Sequence, residues 1–262
     1  MAVKLICGSE FLHIPKTGGS WVTSVLEANG LVSRFIGDKH ADFDRNLLRE
    51  SSYISGRQHL REVFRLARQK GMRLFSRSRR RDTVQLFRFC FVRHPLSWYE
   101  SWWKYMKARG WNDWGTQNSA AGWHTNSMLN GLGSDDFNEF VWNVVRARPG
   151  YVSELYFSYT KAGIGFIGKT ESLRDDLAYV LDLLGHDYAR DTIYTSKPTN
   201  ASKTEQSRIQ WDADLRTLVM KLELSALVHF DYLSDDEKRD LGIDSSQGPN
   251  KMMHPGCRRA AS

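Results

Sequence analysis

The stretch "FLHIPKTGGSW" at residues 11–21 sets an apolar run, a proline, a lysine and two adjacent glycines directly before a helix-like segment. Phe11–Ile14 suit a buried strand, while Trp21, Val22, Val25 and Leu26 recur at the spacing of one helix face. Ser20 is expected to cap that helix, and Asn29-Gly30 to close it. Gly18 and Gly19 let backbone N–H groups approach an anion closely, and the helix N-terminus adds partial positive charge. In the phosphate loop G-x-x-x-x-G-K-[ST] the lysine follows the glycines and the next hydroxyl holds magnesium. Here Lys16 comes first. It lies on the strand side of the anion, where it faces the group being transferred or the bond being broken. The alternative is a tight Gly-Gly turn beside an exposed lysine, which the strand–loop–helix context disfavours.

The rest of the chain supplies a scaffold for such a junction. "KLICGSEFLHI" reads as the first strand, and Val32–Ile36 as a short extended piece. "TVQLFRFCFVR" is dense in β-branched and aromatic residues and reads as a buried strand ending near Arg93. Pro95 suits the first turn of a helix running to about Ala108. A loop rich in Gly, Asn and Trp leads to a helix over Asp135–Arg146. "GIGFIGKT" then reads as a strand and "ESLRDDLAYVLDLLG" as a helix ended by Gly185, with a last helix from about Asp212 to Val228. Strands alternating with helices predict a central parallel sheet flanked by helices. There is no internal repeat and no linker. One α/β domain is expected over residues 1–243, followed by a polar tail at 244–262.

The chain has a net charge of +7 and a pI near 9.3, which point to anionic partners. Ten Arg or Lys residues and one acid, Glu62, lie between Arg57 and Arg81. They read either as a solvated basic helix face or as a docking surface for an anionic acceptor. Nucleic acid is not the expected partner. No run approaches the roughly 18 apolar residues of a membrane helix. Ser9 and Glu10 break the first apolar run too early for a signal peptide, so the cytoplasm is the expected compartment. Cys7, Cys90 and Cys257 give neither a disulfide framework nor metal-ligand spacing, and Cys7 and Cys90 are expected to be buried thiols.

A second motif joins the first. "FVRHPLSWYESWW" places Arg93 at a strand end and Ser101 eight residues on, inside the next helix. An arginine fork and a hydroxyl from adjoining elements can grip a second phosphate. Together the two motifs resemble the sulfotransferases that use 3′-phosphoadenosine 5′-phosphosulfate. "GFIGKTESLRDDLAYVLDLLG" is similar to a later strand and helix of carbohydrate-type members, and "PTNASK" at 198–203 to the loop that closes over the nucleotide. The resemblance implies a P-loop-like three-layer domain that needs no metal. It implies that Pro15, Lys16, Thr17, Gly18, Gly19, Ser20 and Trp21 hold the 5′-phosphosulfate end of the donor. It likewise assigns the 3′-phosphate to Arg93 and Ser101, and the closing loop to Ser202 and Lys203. Lys16 would neutralise charge on the bridging oxygen as the sulfuryl group leaves.

The acceptor, a small molecule or a glycan, needs a base. Carbohydrate-type relatives carry theirs after the first helix, where "GDKHADF" puts His40, and an imidazole titrating near neutral pH suits the task. His13, His94 and Glu100 are the weaker candidates. Six of the nine tryptophans fall between Trp98 and Trp123. Trp98, Trp102, Trp111 and Trp114 are candidate faces for a sugar ring or an aromatic acceptor, against the reading that helical tryptophans are core. Two rival readings stand beside the transferase: a nucleotide or sugar kinase, and a non-catalytic polyanion-binding module.

Overall fold

The computed structural model describes residues 2–37, 40, 87–115, 124–161, 163–197 and 209–240. The strands β1 (Ala2–Leu5), β2 (Glu10–Leu12), β3 (Val32–Ile36), β4 (Arg88–Val92) and β5 (Ile164–Lys169) form one sheet in the order β3-β1-β2-β4-β5. β2, β4 and β5 run parallel, but β1 is antiparallel to both β2 and β3. The sheet is therefore mixed, not parallel throughout as the sequence suggested. The cause is the "ICGS" turn, which folds the expected first strand into a hairpin. Gly8 sits at a φ of 95°, its N–H donates to the Leu5 carbonyl (2.9 Å), and the Leu5 N–H donates to Ser9 O (2.8 Å). Cys7 lies in that turn and is exposed, its sulfur 3.2 Å from His186 Nε2; only Cys90 is the buried thiol expected.

The helices follow in chain order as α1 (Gly19–Ala28), α2 (Pro95–Ala108), α3 (Phe137–Ala147), α4 (Tyr151–Tyr159), α5 (Leu173–Leu183), α6 (Arg190–Thr195), α7 (Ala213–Leu222), α8 (Leu224–His229) and α9 (Asp235–Asp240). They flank the sheet on both faces. Along β4 the side chains alternate with the pleat. Phe89 and Phe91 enter one apolar cluster with α1, α5 and α6, whereas Cys90 and Val92 enter a second with α2, α3, α4, α7 and α8. Burial on both faces explains why the "RFCFV" run carries no polar alternation. Among the described residues no helix is long and apolar enough to cross a membrane.

The single late helix expected over Asp212–Val228 is broken at Glu223. That carboxylate is fully buried and turns back toward the N-terminus of α4, whose N-cap residue, Gly150, has no side chain to offer. Glu223 Oε1 accepts from the Tyr99 hydroxyl (2.8 Å) and the Val152 N–H (3.0 Å), and Oε2 from the Ser153 N–H and hydroxyl (2.7 Å each). The residue after α7 thus caps a helix seventy positions earlier, and α2 is tied to the same carboxylate. The consequence for the site is that α4 stands fixed beside the ends of β2 and β4.

Candidate active site

The parallel strands β2 and β4 end side by side, in register from Glu10 opposite Arg88 to Leu12 opposite Cys90. The loop after β2 and the turn after β4 therefore meet. Lys16 adopts a φ of 67°, outside the region that side-chain-bearing residues prefer. Such strain, on the order of 1 kcal/mol or more, is typical of sites where chemistry fixes a backbone. The loop is held from several sides. Thr17 Oγ1 donates to Ile14 O (3.0 Å), and the buried Trp98 indole donates to Pro15 O (3.0 Å).

The helix that follows starts differently from the expectation. Gly18, at a φ of 81°, is its N-cap, and Ser20 lies inside the first turn and does not cap it. The first intrahelical bond is Val22 N–H to Gly18 O (3.1 Å), so the N–H groups of Gly19, Ser20 and Trp21 precede the helical ladder. Gly19 is required for a second reason. A Cβ there would lie 2.0 Å from the ring of His13, so α1 can begin this close to β2 only through a glycine.

Arg93 arrives from β4. Its Nη1 donates to the carbonyl of Lys16 (3.4 Å), which joins the two motifs 77 residues apart in sequence. Its backbone is held by Tyr156, whose hydroxyl accepts from the Arg93 N–H (3.2 Å) and donates to the Arg93 carbonyl (2.8 Å). The flanking residues are also fixed. Thr170 Oγ1 donates to Val92 O (2.9 Å), and the His94 N–H donates to Glu171 Oε1 (2.9 Å). Ser101 sits on α2, seven residues or close to two turns beyond the N-cap His94, on the helix face that carries the cap.

Among the described residues neither Lys16 nor Arg93 is paired with a carboxylate. Lys16 Nζ instead lies 4.3 Å from the centre of the Tyr105 ring. Burial first, and then the Arg93 charge, lower the Lys16 pKa to about 8. Two cations thus converge on the start of a helix with no carboxylate paired to either among the described residues.

His40 lies beside this loop. Its Nδ1 is 3.3 Å from His13 O, and its ring packs edge-on against His13 (4.7 Å) and His124 (4.5 Å). A carbonyl only accepts, so Nδ1 carries the proton and Nε2 keeps its lone pair. Burial, reinforced by the neighbouring His13 and His124, holds its pKa well below the usual histidine value. The imidazole is thus neutral at physiological pH and titrates well below it, not near it as the sequence suggested; burial is the main reason. The other candidates are engaged. His94 caps α2 by accepting from the Leu96 N–H (3.2 Å), and Glu100 accepts from the Trp211 indole (2.9 Å). His13 is buried against Gly19.

The tryptophans divide. Trp98 and Trp102 stack on each other (5.7 Å, 9° between planes) and are core, at 0% and 2% exposed; they leave no face for a ligand, contrary to the expectation. Trp111 packs on Phe140 (5.5 Å) and donates to Asp135 Oδ1 (3.1 Å). Trp114 stacks on His124 (4.4 Å) under the Arg109 guanidinium (4.0 Å), in contact with the histidine group. Trp21 donates its indole N–H to Ser196 (2.9 Å), and Arg174 lies over its ring while donating to the carbonyls of Ile193, Tyr194 and Ser196. Sequence reasoning missed Tyr105, Arg109, His124, Tyr156 and Arg174. His124 alone had a local signal, since it follows Trp123 in the tryptophan-rich loop. Ser202, Lys203, Trp123 and the Arg57–Arg81 segment lie outside the described residues.

The sulfotransferase family model matches residues 10–233, from β2 through the turn that precedes α9. The chain belongs to the sulfotransferase family. No curated protein and no solved structure gives a match.

Proposed function

We propose that this sulfotransferase moves a sulfuryl group from 3′-phosphoadenosine 5′-phosphosulfate to a hydroxyl acceptor, a small molecule or a glycan, by in-line displacement on a P-loop-like three-layer scaffold. The observation that carries the reading is the meeting of Lys16 and Arg93, two cations without a carboxylate partner among the described residues, at the start of α1. The donor set suits a ligand with two separated anionic groups. Lys16, the N–H groups of Gly19 to Trp21 and the Ser20 hydroxyl would hold the phosphosulfate, and Arg93 with Ser101 the 3′-phosphate. Trp21 is 5% exposed and clasped by Arg174 and Ser196, so its ring packs in the core and its backbone N–H is what it would contribute to the donor site.

The donor supplies a sulfuryl group activated by its anhydride bond to phosphate. An acceptor oxygen forms the new S–O bond as the bond from sulfur to the bridging oxygen breaks. His40 Nε2 takes the acceptor's proton, and Lys16 balances the charge that grows on the bridging oxygen. Most of the acceleration then comes from positioning and electrostatics. The basic Arg57–Arg81 segment recruits an anionic acceptor.

The test is a screen of glycans, phenols and lipids with isotopically labelled donor, using wild type and Lys16→Ala. Label transferred by the wild type and reduced about 100-fold or more in the variant is expected. Transfer of phosphate from ATP–Mg²⁺, with none of sulfate, would replace this reading with that of a kinase.

A further inference from the structure

Helix α4 sends two phenol hydroxyls, one turn apart, to the backbones of two different site residues. Tyr156 accepts from the Arg93 N–H and donates to the Arg93 carbonyl. Tyr159, three residues on, donates to the carbonyl of His40 at 2.5 Å. Both tyrosines are 0% exposed. The parallel ladder between β4 and β5 ends with Val92 opposite Lys169, so Arg93 is the first residue of its chain beyond the strand. One hydroxyl, donor and acceptor at once, serves both of its backbone groups. Burial pushes the Tyr156 phenol well above its ordinary pKa, so it remains a donor at any working pH. The helix carrying both groups is itself fixed at its start by the buried Glu223.

We propose that Tyr156 and Tyr159 are positioning residues that divide the site between them, Tyr156 aiming Arg93 at the 3′-phosphate and Tyr159 holding His40 in its place beside the acceptor. This rests on the donor and base assignments above. Because the two hydroxyls serve the backbones of different site residues, their effects should separate, which a general packing role would not produce.

Two readouts test the division without an identified acceptor. The first is calorimetric affinity for 3′-phosphoadenosine 5′-phosphate and for AMP, whose ratio reports the 3′-phosphate contact. The second is the rate at which diethyl pyrocarbonate modifies His40, followed by peptide mass spectrometry, with His94 and His186 as controls. Tyr156→Phe should lower the affinity ratio about tenfold, with AMP binding and His40 reactivity unchanged. Tyr159→Phe should raise His40 modification severalfold, with the controls and the affinity ratio unchanged. AMP binding also reports whether each variant is folded. Wild type that binds both nucleotides equally removes the donor reading, and this proposal with it. A wild-type preference that survives Tyr156→Phe overturns the proposal alone. So does Tyr159→Phe without a selective change at His40, or a pair of variants that each move both readouts together.

Discussion

Lys16 concentrates the physical problem of the site in one residue. Its backbone is in the left-handed region, its ammonium is buried against Tyr105, and the Arg93 charge stands nearby. The left-handed backbone and the burial of the ammonium each cost stability in the free protein. A pKa lowered to about 8 has a measurable consequence. An anion binds the protonated lysine, so binding raises the pKa and draws in a proton. Affinity for 3′-phosphoadenosine 5′-phosphate should therefore be flat just below pH 8, where the nucleotide's phosphates are fully ionised, and fall as pH rises above it, by up to about tenfold per unit. Lys16→Ala should abolish that slope in calorimetric titrations; an unchanged slope would place the titrating group elsewhere. His40 leads to the opposite limb. Its pKa is depressed, so the neutral base persists on acidification and is lost only well below pH 6.5. The acidic limb of kcat/KM should lie there and vanish in His40→Ala, with kcat down roughly 100-fold or more. A limb that survives the substitution would transfer the role to another group.

At the level of elements, the site depends on α4, which the sequence reading passed over. Its buried positions, Tyr151, Val152, Leu155, Tyr156 and Tyr159, do follow helical spacing. The signal was masked by three tyrosines and two serines in nine residues, which do not read as an apolar stripe, and by a cap that comes from Glu223 far along the chain. Replacing that carboxylate tests the dependence. Glu223→Gln turns an amide donor toward groups that themselves donate and should cost on the order of 3 kcal/mol. The readout is a lower urea midpoint at an unchanged slope; a loss under about 1 kcal/mol would show that α4 is held by packing alone. Other elements were legible because their signals are local. Pro95 marks the start of α2, and the continuous "RFCFV" run marks β4 as a strand buried on both faces. The β1–β2 hairpin was not, because Gly8 lies within one apolar run whose halves look like a single strand. In the site, the loop around Lys16 and the Arg93 motif could be read from spacing. The Tyr105 and Tyr156 contacts could not, since they arise where separate elements pack.

The whole chain carries a net charge of +7, and Lys16 and Arg93 meet at the start of α1. If the Arg57–Arg81 segment recruits an anionic acceptor, neutralising Arg79, Arg80 and Arg81 together should raise the acceptor KM and flatten its salt dependence, with donor affinity unchanged. Acceptor kinetics indifferent to both salt and substitution would leave those arginines as a solvated face. The meeting of the β2 and β4 ends, which brings Lys16 and Arg93 together, has a more direct consequence under the proposed donor reading. Isothermal titration of wild type and Arg93→Ala with 3′-phosphoadenosine 5′-phosphate and with AMP measures it without any acceptor. The expected result is a strong wild-type preference for the 3′-phosphorylated nucleotide, most of it erased in Arg93→Ala while AMP affinity holds. Equal affinities of the wild type for the two nucleotides would contradict it.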